Sequence, residues 1–158
     1  MTDLERLVAI EDIKQLKARY FRALDTKDWA LYAGVFTDDA EIDVRGSTDS
    51  TSADEESSAI DGFNDNAVFI GGRAFADYVS EITVGTTTAH HGHMPEIDVL
   101  GPTTARGIWA MEDRLWQPET APFRLMHGWG HYHETYEKRD GKWLIRTMRI
   151  TKLRNDLS

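Results

Sequence analysis

The side chains best suited to proton transfer are grouped in one part of the sequence. All six histidines fall between residues 90 and 133: His90, His91, His93, His127, His131 and His133. Imidazole changes charge near neutral pH, so it acts as a general acid or base when a carboxylate fixes its tautomer. The clustering therefore predicts acid–base chemistry or metal binding in the second half of the chain.

Asp25 is the best carboxylate partner for such a histidine. It follows Ala23 and Leu24 at the predicted end of the first helix, where the helix dipole disfavours a negative charge. Helix stability therefore explains this aspartate poorly, and a functional role is one interpretation. The alternative is a turn residue that caps the next helix, because Asp is a preferred N-cap.

A second carboxylate, Asp113, shares a predicted strand face with Trp109, Met111 and Leu115. An acid on an apolar face is either buried and functional or a sign that the two faces are reversed. The opposite face is more polar, so we expect Asp113 to be buried and Trp109 and Met111 to bind substrate. Tyr20 lies on the apolar stripe of the first helix, with its hydroxyl either in the cavity or at the rim of the core.

The last two strands supply further candidates for substrate binding. His127 and Trp129 share one face of their strand, because side chains alternate along a strand. Arg146 and Arg149 fall on opposite faces of the final strand, so only one of them can point inward. We assign His127, Trp129 and Arg149 to the substrate, although the sequence does not decide between the two arginines.

A metal site is an alternative use of the histidines. The spacing of His131, His133 and Glu137 matches the first metal motif of a cupin. However, no histidine follows residue 133 to complete the second motif, and a helical first third is unlike a cupin. We therefore predict no metal and no cofactor, with a histidine-bound metal enzyme kept as a lesser alternative.

The composition limits the partners of this chain. It has 158 residues, 27 acidic against 18 basic side chains, a formal charge of −9 and no cysteine. Disulfides are excluded, and nucleic acids or anionic membranes would repel the negative charge. There is no apolar run of about 18 residues and no signal-like N-terminus, so we expect a cytoplasmic protein and no membrane partner.

Helices are predicted in the first half of the chain. Thr2 and Glu5 have the spacing of a capping box, and apolar residues follow at helical intervals over about 20 residues. Shorter helical stripes follow at 29–36 and 75–83. Residues 46–66 are rich in Ser, Thr, Asp, Glu and Gly, which predicts a mobile acidic surface loop, with a substrate lid as the alternative.

Strands dominate the rest of the chain. Residues 40–44 alternate in polarity, and four long β-branched and aromatic segments follow at 86–99, 104–116, 123–138 and 143–153. Asp140 and Gly141 form a tight-turn dipeptide, which predicts an antiparallel hairpin between the last two strands. Helices first and long strands last indicate an α+β fold, a single domain over residues 1–158.

Four segments of the sequence resemble a known family. They are residues 20–29 (YFRALDTKDW), 36–40 (FTDDA), 88–92 (TAHHG) and 136–143 (YEKRDGKW). Together they resemble the SnoaL-like branch of the nuclear-transport-factor-2-like superfamily. The resemblance implies a cone-shaped fold, with three N-terminal helices packed against a curved, mostly antiparallel sheet around a pocket, usually in a homo-oligomer such as a dimer or trimer.

The resemblance also implies an activity. The pattern is similar to that of eliminating enzymes that need no cofactor, such as scytalone dehydratases and bile-acid 7α-dehydratases. By motif, Asp25 and His90 match their aspartate–histidine pair, while Tyr20 and Asp113 match a tyrosine and a second aspartate. Asp113 would then protonate the leaving group. We expect a lyase or isomerase acting on a polycyclic, steroid-like or polyketide-like molecule; the alternative is a binding protein without catalysis.

Overall fold

The computed structural model describes residues 1–47 and 67–158. The predicted acidic loop therefore lies outside the described residues from position 48 onward. The elements in chain order are α1 (Asp3–Asp25), α2 (Trp29–Ala33), β1 (Phe36–Gly46), β2 (Val68–Ile70), α3 (Gly72–Ile82), β3 (Thr87–Val99), β4 (Thr104–Trp116), β5 (Leu125–Arg139) and β6 (Lys142–Leu157).

The helices begin at caps that the sequence specifies. Thr2 and Glu5 form the predicted capping box at the start of α1, each side chain bonding the backbone N–H of the other. Asp28 caps α2 by accepting a hydrogen bond from the N–H of Leu31. Helix α2 ends at Ala33, and Phe36 already begins β1, so the second helix is shorter than predicted.

All six strands belong to one sheet, in the order β2-β1-β6-β5-β4-β3. Strands β1 and β6 run parallel, and every other neighbouring pair is antiparallel. The predicted hairpin joins β5 to β6, and both Asp140 (φ 50°) and Gly141 (φ 77°) have the positive φ values of a tight hairpin turn. Strand β2 is not among the predicted elements.

The helices pack on one face of this sheet and bury a continuous core. Its fully buried members come from α1, α2 and the inner face of the strands, and they include Ile13, Leu16, Tyr20, Tyr32, Ile42, Tyr132, Ile145 and Met148. The predicted α+β class is confirmed, with three helices against a mixed sheet. Within the described ranges, no helix combines the length and apolarity needed to cross a membrane.

A buried ion pair ties α1 to the middle of the sheet. Lys17 Nζ lies 2.5 Å from Glu134 Oε1, with the two side chains 1% and 0% exposed. The Tyr136 hydroxyl donates to Glu134 Oε2 at 2.5 Å, and Trp109 Nε1 donates to the Tyr136 oxygen at 2.8 Å. Burial lowers the pKa of Lys17, and the adjacent carboxylate opposes that shift.

Candidate active site

Asp25 and His90 are joined by hydrogen bonds between the end of α1 and β3. Asp25 Oδ1 lies 2.7 Å from His90 Nδ1, and Asp25 Oδ2 accepts the backbone N–H of His90 at 2.9 Å. An ionised carboxylate accepts hydrogen bonds only, so this contact assigns the ring proton to Nδ1. The ring nitrogen left for chemistry is Nε2, whose lone pair makes it a base.

Further contacts hold the Asp25 carboxylate in place. The Thr88 hydroxyl donates to Asp25 Oδ1 at 2.9 Å and accepts from Lys27 Nζ at 3.1 Å. Partial burial by itself would raise the pKa of Asp25, but the hydrogen bonds and charge of His90, together with Thr88, outweigh burial and lower it. Asp25 is therefore a fixed carboxylate at neutral pH, as a positioning partner for an imidazole must be.

His90 faces a cavity of about 120 Å³ between the helices and the sheet. Most of its wall is apolar and comes from α3 and the inner faces of β4, β5 and β6, including Phe75, Val79, Leu115, Met126 and Ile150. The polar groups in the wall include Tyr20, His90, Asp113 and Lys152. An apolar cavity with a few converging polar groups is the usual form of a small-molecule site.

Three tyrosines form one wall of this cavity. Tyr20, Tyr32 and Tyr132 are each 1% or 2% exposed, and the Tyr32 hydroxyl donates to the Tyr20 oxygen at 3.2 Å. Burial raises the pKa of all three phenols well above their usual value. They are therefore neutral hydrogen-bond donors throughout the physiological range.

Asp113 is buried as predicted, and it forms an ion pair with Lys152. It is 5% exposed, and Lys152 Nζ lies 2.5 Å from its Oδ2 in an ion pair with side chains 3% and 7% exposed. In this contact Lys152 is the donor and Asp113 the acceptor, whereas the predicted acid role requires Asp113 to be the donor. The group of this pair that carries a transferable proton is Lys152.

Two of the predicted substrate residues lie on the expected face but not in the cavity wall. Trp109 and Met111 are 5% and 3% exposed. The Trp109 ring packs with Phe21 against Gly92, at a point where a Cβ on residue 92 would overlap Phe21. The end of α1 covers this part of the inner face, so these side chains belong to the core beside the cavity.

Three others lie on the opposite, outer face of the sheet. The rings of His127 and Trp129 stack there with centroids 3.8 Å apart, and His127 Nε2 lies 2.8 Å from Glu112 Oε1. Arg149 borders an outer groove together with His133. The inner face of β5 is instead formed by its even-numbered residues from 126 to 136, so the assignment of His127, Trp129 and Arg149 to the cavity is corrected.

The choice between the two arginines is also resolved by the sheet. A register irregularity between the pairs Thr135–Thr147 and Tyr136–Ile145 leaves Arg146 as an extra residue in β6. Arg146 reaches Asp39 and Glu137 at the surface, and Arg149 lies on the outer face. Neither guanidinium enters the cavity, because the bulge breaks the alternation that the prediction assumed.

The histidines considered for a metal are spread over the outer face. The rings of His131 and His133 have centroids 6.2 Å apart, and His133 Nε2 bonds the Thr151 hydroxyl at 3.0 Å. Glu137 forms an ion pair with Arg139. In the part of the chain that the structure describes, no group of three or more His, Asp or Glu side chains is arranged to hold a metal ion.

The sequence interpretation missed two inner-face residues, Lys152 in the cavity wall and Asn155 beside it. Lys152 continues the inward alternation from Ile150, so the pattern of β6 could have indicated it. Asn155 lies beyond the predicted end of the strand, and its position depends on a second irregularity, between the pairs Trp129–Arg154 and Gly130–Lys152. No periodicity in the sequence could have found Asn155.

The fold and the site together define a class of protein. Helices packed on one side of a curved mixed sheet, with a carboxylate–imidazole pair beside an apolar cavity, are typical of cone-shaped small-molecule proteins. Residues 5–149 match the family model described as the SnoaL-like domain, which covers most of the chain. The chain belongs to the SnoaL-like family, and its fold is the predicted nuclear-transport-factor-2-like cone.

Solved structures agree with this assignment. A candidate scytalone dehydratase from Novosphingobium aromaticivorans is 20% identical, with a TM-score of 0.76 over 99% of this chain and 91% of that one. A hexachlorocyclohexane dehydrochlorinase from Novosphingobium barchaimii is 17% identical, with a TM-score of 0.76 over 99% and 94%. A protein of unknown function from Mycobacterium tuberculosis is 25% identical, with a TM-score of 0.71 over 99% and 77%. The first two likenesses establish a shared fold.

Proposed function

We propose that this protein is a lyase or isomerase that works without a cofactor and uses His90 as its base. The observation that carries the proposal is the Asp25–His90 hydrogen bond of 2.7 Å beside an apolar cavity. The activities named for the structural relatives, dehydration and dehydrochlorination, are both eliminations and so are consistent with it.

The proposed reaction begins with proton abstraction. His90 Nε2 takes a proton from a carbon next to an activating group, and Asp25 stabilises the imidazolium that results. The electron pair of the broken C–H bond forms the new double bond. In a dehydration, the C–O bond then breaks, and the departing hydroxide takes a proton and leaves as water.

Three other cavity side chains have proposed roles in this reaction. Tyr20 donates a hydrogen bond to the oxygen that gains negative charge, a task suited to a buried neutral phenol. The proton for the leaving group comes from the Asp113–Lys152 pair. Within that pair Lys152 is the donor and Asp113 holds it in position, which replaces the acid role predicted for Asp113.

The cavity wall is largely apolar, which supports a carbocyclic substrate. The polycyclic, steroid-like or polyketide-like type is proposed from the resemblance to the eliminating enzymes. The volume of about 120 Å³ is smaller than the roughly 150 Å³ of a cavity that holds benzene. A substrate of several rings therefore requires the surrounding side chains to move as it enters.

The test compares turnover with binding in one variant. His90→Ala should abolish elimination of a hydroxyketone substrate while leaving its affinity within a few-fold of the wild type. Turnover that survives this change would refute the role of His90. Turnover that a chelator removes and zinc restores would favour a metal site at His131 and His133 instead.

The alternative function is ligand binding without catalysis, which the same apolar cavity would support. A thermal-shift screen of fused-ring molecules detects binding whether or not a reaction follows, because any ligand that binds only the folded state raises the melting temperature. Ligands that bind tightly and are recovered unchanged by the wild type would favour this alternative.

We also propose that the chain assembles as a homo-oligomer, a dimer or trimer, through the outer face of the sheet. That face carries the stacked His127 and Trp129 rings and the partly exposed side chains of Ile108 and Trp116, which are 39% and 42% exposed. Exposed apolar and aromatic side chains grouped on one face favour an interaction surface.

A further inference from the structure

Three polar side chains converge at one point of the inner sheet surface. Gly128 has no side chain, and a Cβ placed there would overlap Asp113 Oδ1, Lys152 Nζ and Asn155 Oδ1. These groups come from β4 and β6, the two strands that flank β5. The missing side chain at residue 128 is what allows the three polar ends to meet.

A β-bulge brings the two β6 members of this cluster to the same face. Gly130 pairs with Lys152, whereas Trp129 pairs with Arg154, so Leu153 is an extra residue. Lys152 and Asn155 are three positions apart and would fall on opposite faces of a regular strand. The bulge reverses the alternation between them, so both side chains point inward.

The cluster contains acceptors that no described residue satisfies. Lys152 Nζ bonds Asp113 Oδ2, but Asp113 Oδ1 and Asn155 Oδ1 are buried without a hydrogen-bond partner within residues 1–47 and 67–158. A buried acceptor left without a donor costs about 1–3 kcal/mol. A group that enters the cavity beside Asp113 and donates to these oxygens would remove that cost.

The charges of the cluster determine which kind of ligand group it can bind. Two unsatisfied oxygens repel an anion such as a carboxylate or phosphate, and the Lys152 ammonium repels a cation. A neutral hydroxyl suits both the oxygens and the ammonium, because it donates one hydrogen bond and accepts others. It can donate to Asp113 Oδ1 or Asn155 Oδ1 and accept from a free N–H of Lys152.

We propose that Asp113, Lys152 and Asn155 form a subsite for a hydroxyl group of the ligand. The inference deepens the proposed function, on which it rests for taking the cavity as the substrate site. His90 and Asp113 are directly opposed residues of β3 and β4, and opposed residues on one face have Cβ atoms about 5 Å apart. The bound hydroxyl is therefore within reach of the base, and the substrate is an alcohol or phenol.

The test uses two probes of the same shape, p-cresol and p-xylene, which differ by a hydroxyl in place of a methyl group. An apolar cavity alone would favour p-xylene, the more hydrophobic molecule. The wild type should instead bind p-cresol more tightly, measured by calorimetry or by NMR titration. The ratio of the two dissociation constants is the readout.

Two variants remove the subsite in different ways. Gly128→Ala pushes the three polar ends apart, which they can accommodate because each is the far end of a side chain. Asn155→Leu removes one acceptor and leaves Gly128 unchanged, so it serves if the alanine variant does not fold. Each should shift the ratio towards p-xylene by about 10-fold, the value of one buried hydrogen bond. Arg154→Leu is the matched control, since its exposed side chain points outward, and it should not change the ratio.

The outcomes separate the subsite from the proposed function. A wild type that prefers p-xylene or binds neither probe, or a ratio that Gly128→Ala and Asn155→Leu both leave unchanged, would overturn the subsite. His90→Ala should keep the preference for p-cresol, because His90 is not part of the cluster. If the wild type prefers p-cresol but turns over no substrate, the subsite is supported and only the proposed lyase activity is rejected.

Discussion

The buried ion pair between Lys17 and Glu134 gives the sharpest prediction of stability. The Glu134 side chain is 0% exposed. In Lys17→Met, its carboxylate keeps the hydrogen bond from the Tyr136 hydroxyl but loses the ion pair with the lysine ammonium. Leaving one member of a buried pair uncompensated costs about 3–5 kcal/mol. For a chain of this length, each kcal/mol lowers the melting temperature by about 2–4 °C, so a fall of roughly 6–20 °C is expected.

Restoring the charge balance tests the cause of that loss. In the double variant Lys17→Met/Glu134→Gln no uncompensated charge remains, so it should recover much of the stability that Lys17→Met loses. Thermal unfolding followed by circular dichroism measures both. A double variant no more stable than Lys17→Met would refute the electrostatic reasoning and assign the loss to packing of the lysine stem.

The same pair also bears on the site. Lys17 Nζ lies 4.0 Å from the centroid of the Tyr20 ring and 3.5 Å from that of Tyr132, as cation–π contacts. The Lys17 ammonium therefore helps to hold two rings of the cavity wall in place. In Lys17→Met, a ligand that contacts those rings should bind more weakly, even at temperatures where the variant stays folded.

Three further predictions concern the proposed site and assembly. Asp25→Asn should preserve the fold and reduce turnover by about 100-fold or more, measured by steady-state kinetics, because the imidazolium loses its anionic partner. Because the folded state lowers the pKa of Asp25, its contribution to stability is present above the unfolded value of about 4 and is lost as pH falls through the folded value. The gap in melting temperature between wild type and Asp25→Asn should therefore shrink in acid, and a constant gap would contradict this. Light scattering should give a mass above the 18.0 kDa of one chain, reduced by Trp129→Lys; a clean monomer at micromolar concentration would refute the assembly.

Local signals in the sequence predicted much of the fold. The Thr2 capping box, the Asp140-Gly141 turn and the long alternating strands each act over a few residues, and each appears where predicted. The alternation in β4 also placed Asp113 on the buried face. These features depend on short-range sterics and hydrogen bonding, which a single sequence displays directly.

The errors come from interactions that are not local. Alternation says which side chains share a face but not which face the helices cover, and for this reason the inward assignment of His127 and Trp129 is wrong. Two bulges in β6 then changed the alternation, which moved Arg146 outward and Asn155 inward. Such irregularities are set by the register between strands, and a regular period cannot reveal them.

The central claim is that Asp25 holds His90 with its proton on Nδ1 and leaves Nε2 as the base. Long-range nitrogen–proton NMR correlations distinguish the two tautomers, and the spectrum of a His90→Gln variant identifies the signals of this ring. The neutral His90 ring should carry its proton on Nδ1 and leave Nε2 unprotonated, in keeping with the 2.7 Å contact to Asp25. A neutral His90 ring with its proton on Nε2 would contradict the proposed mechanism directly.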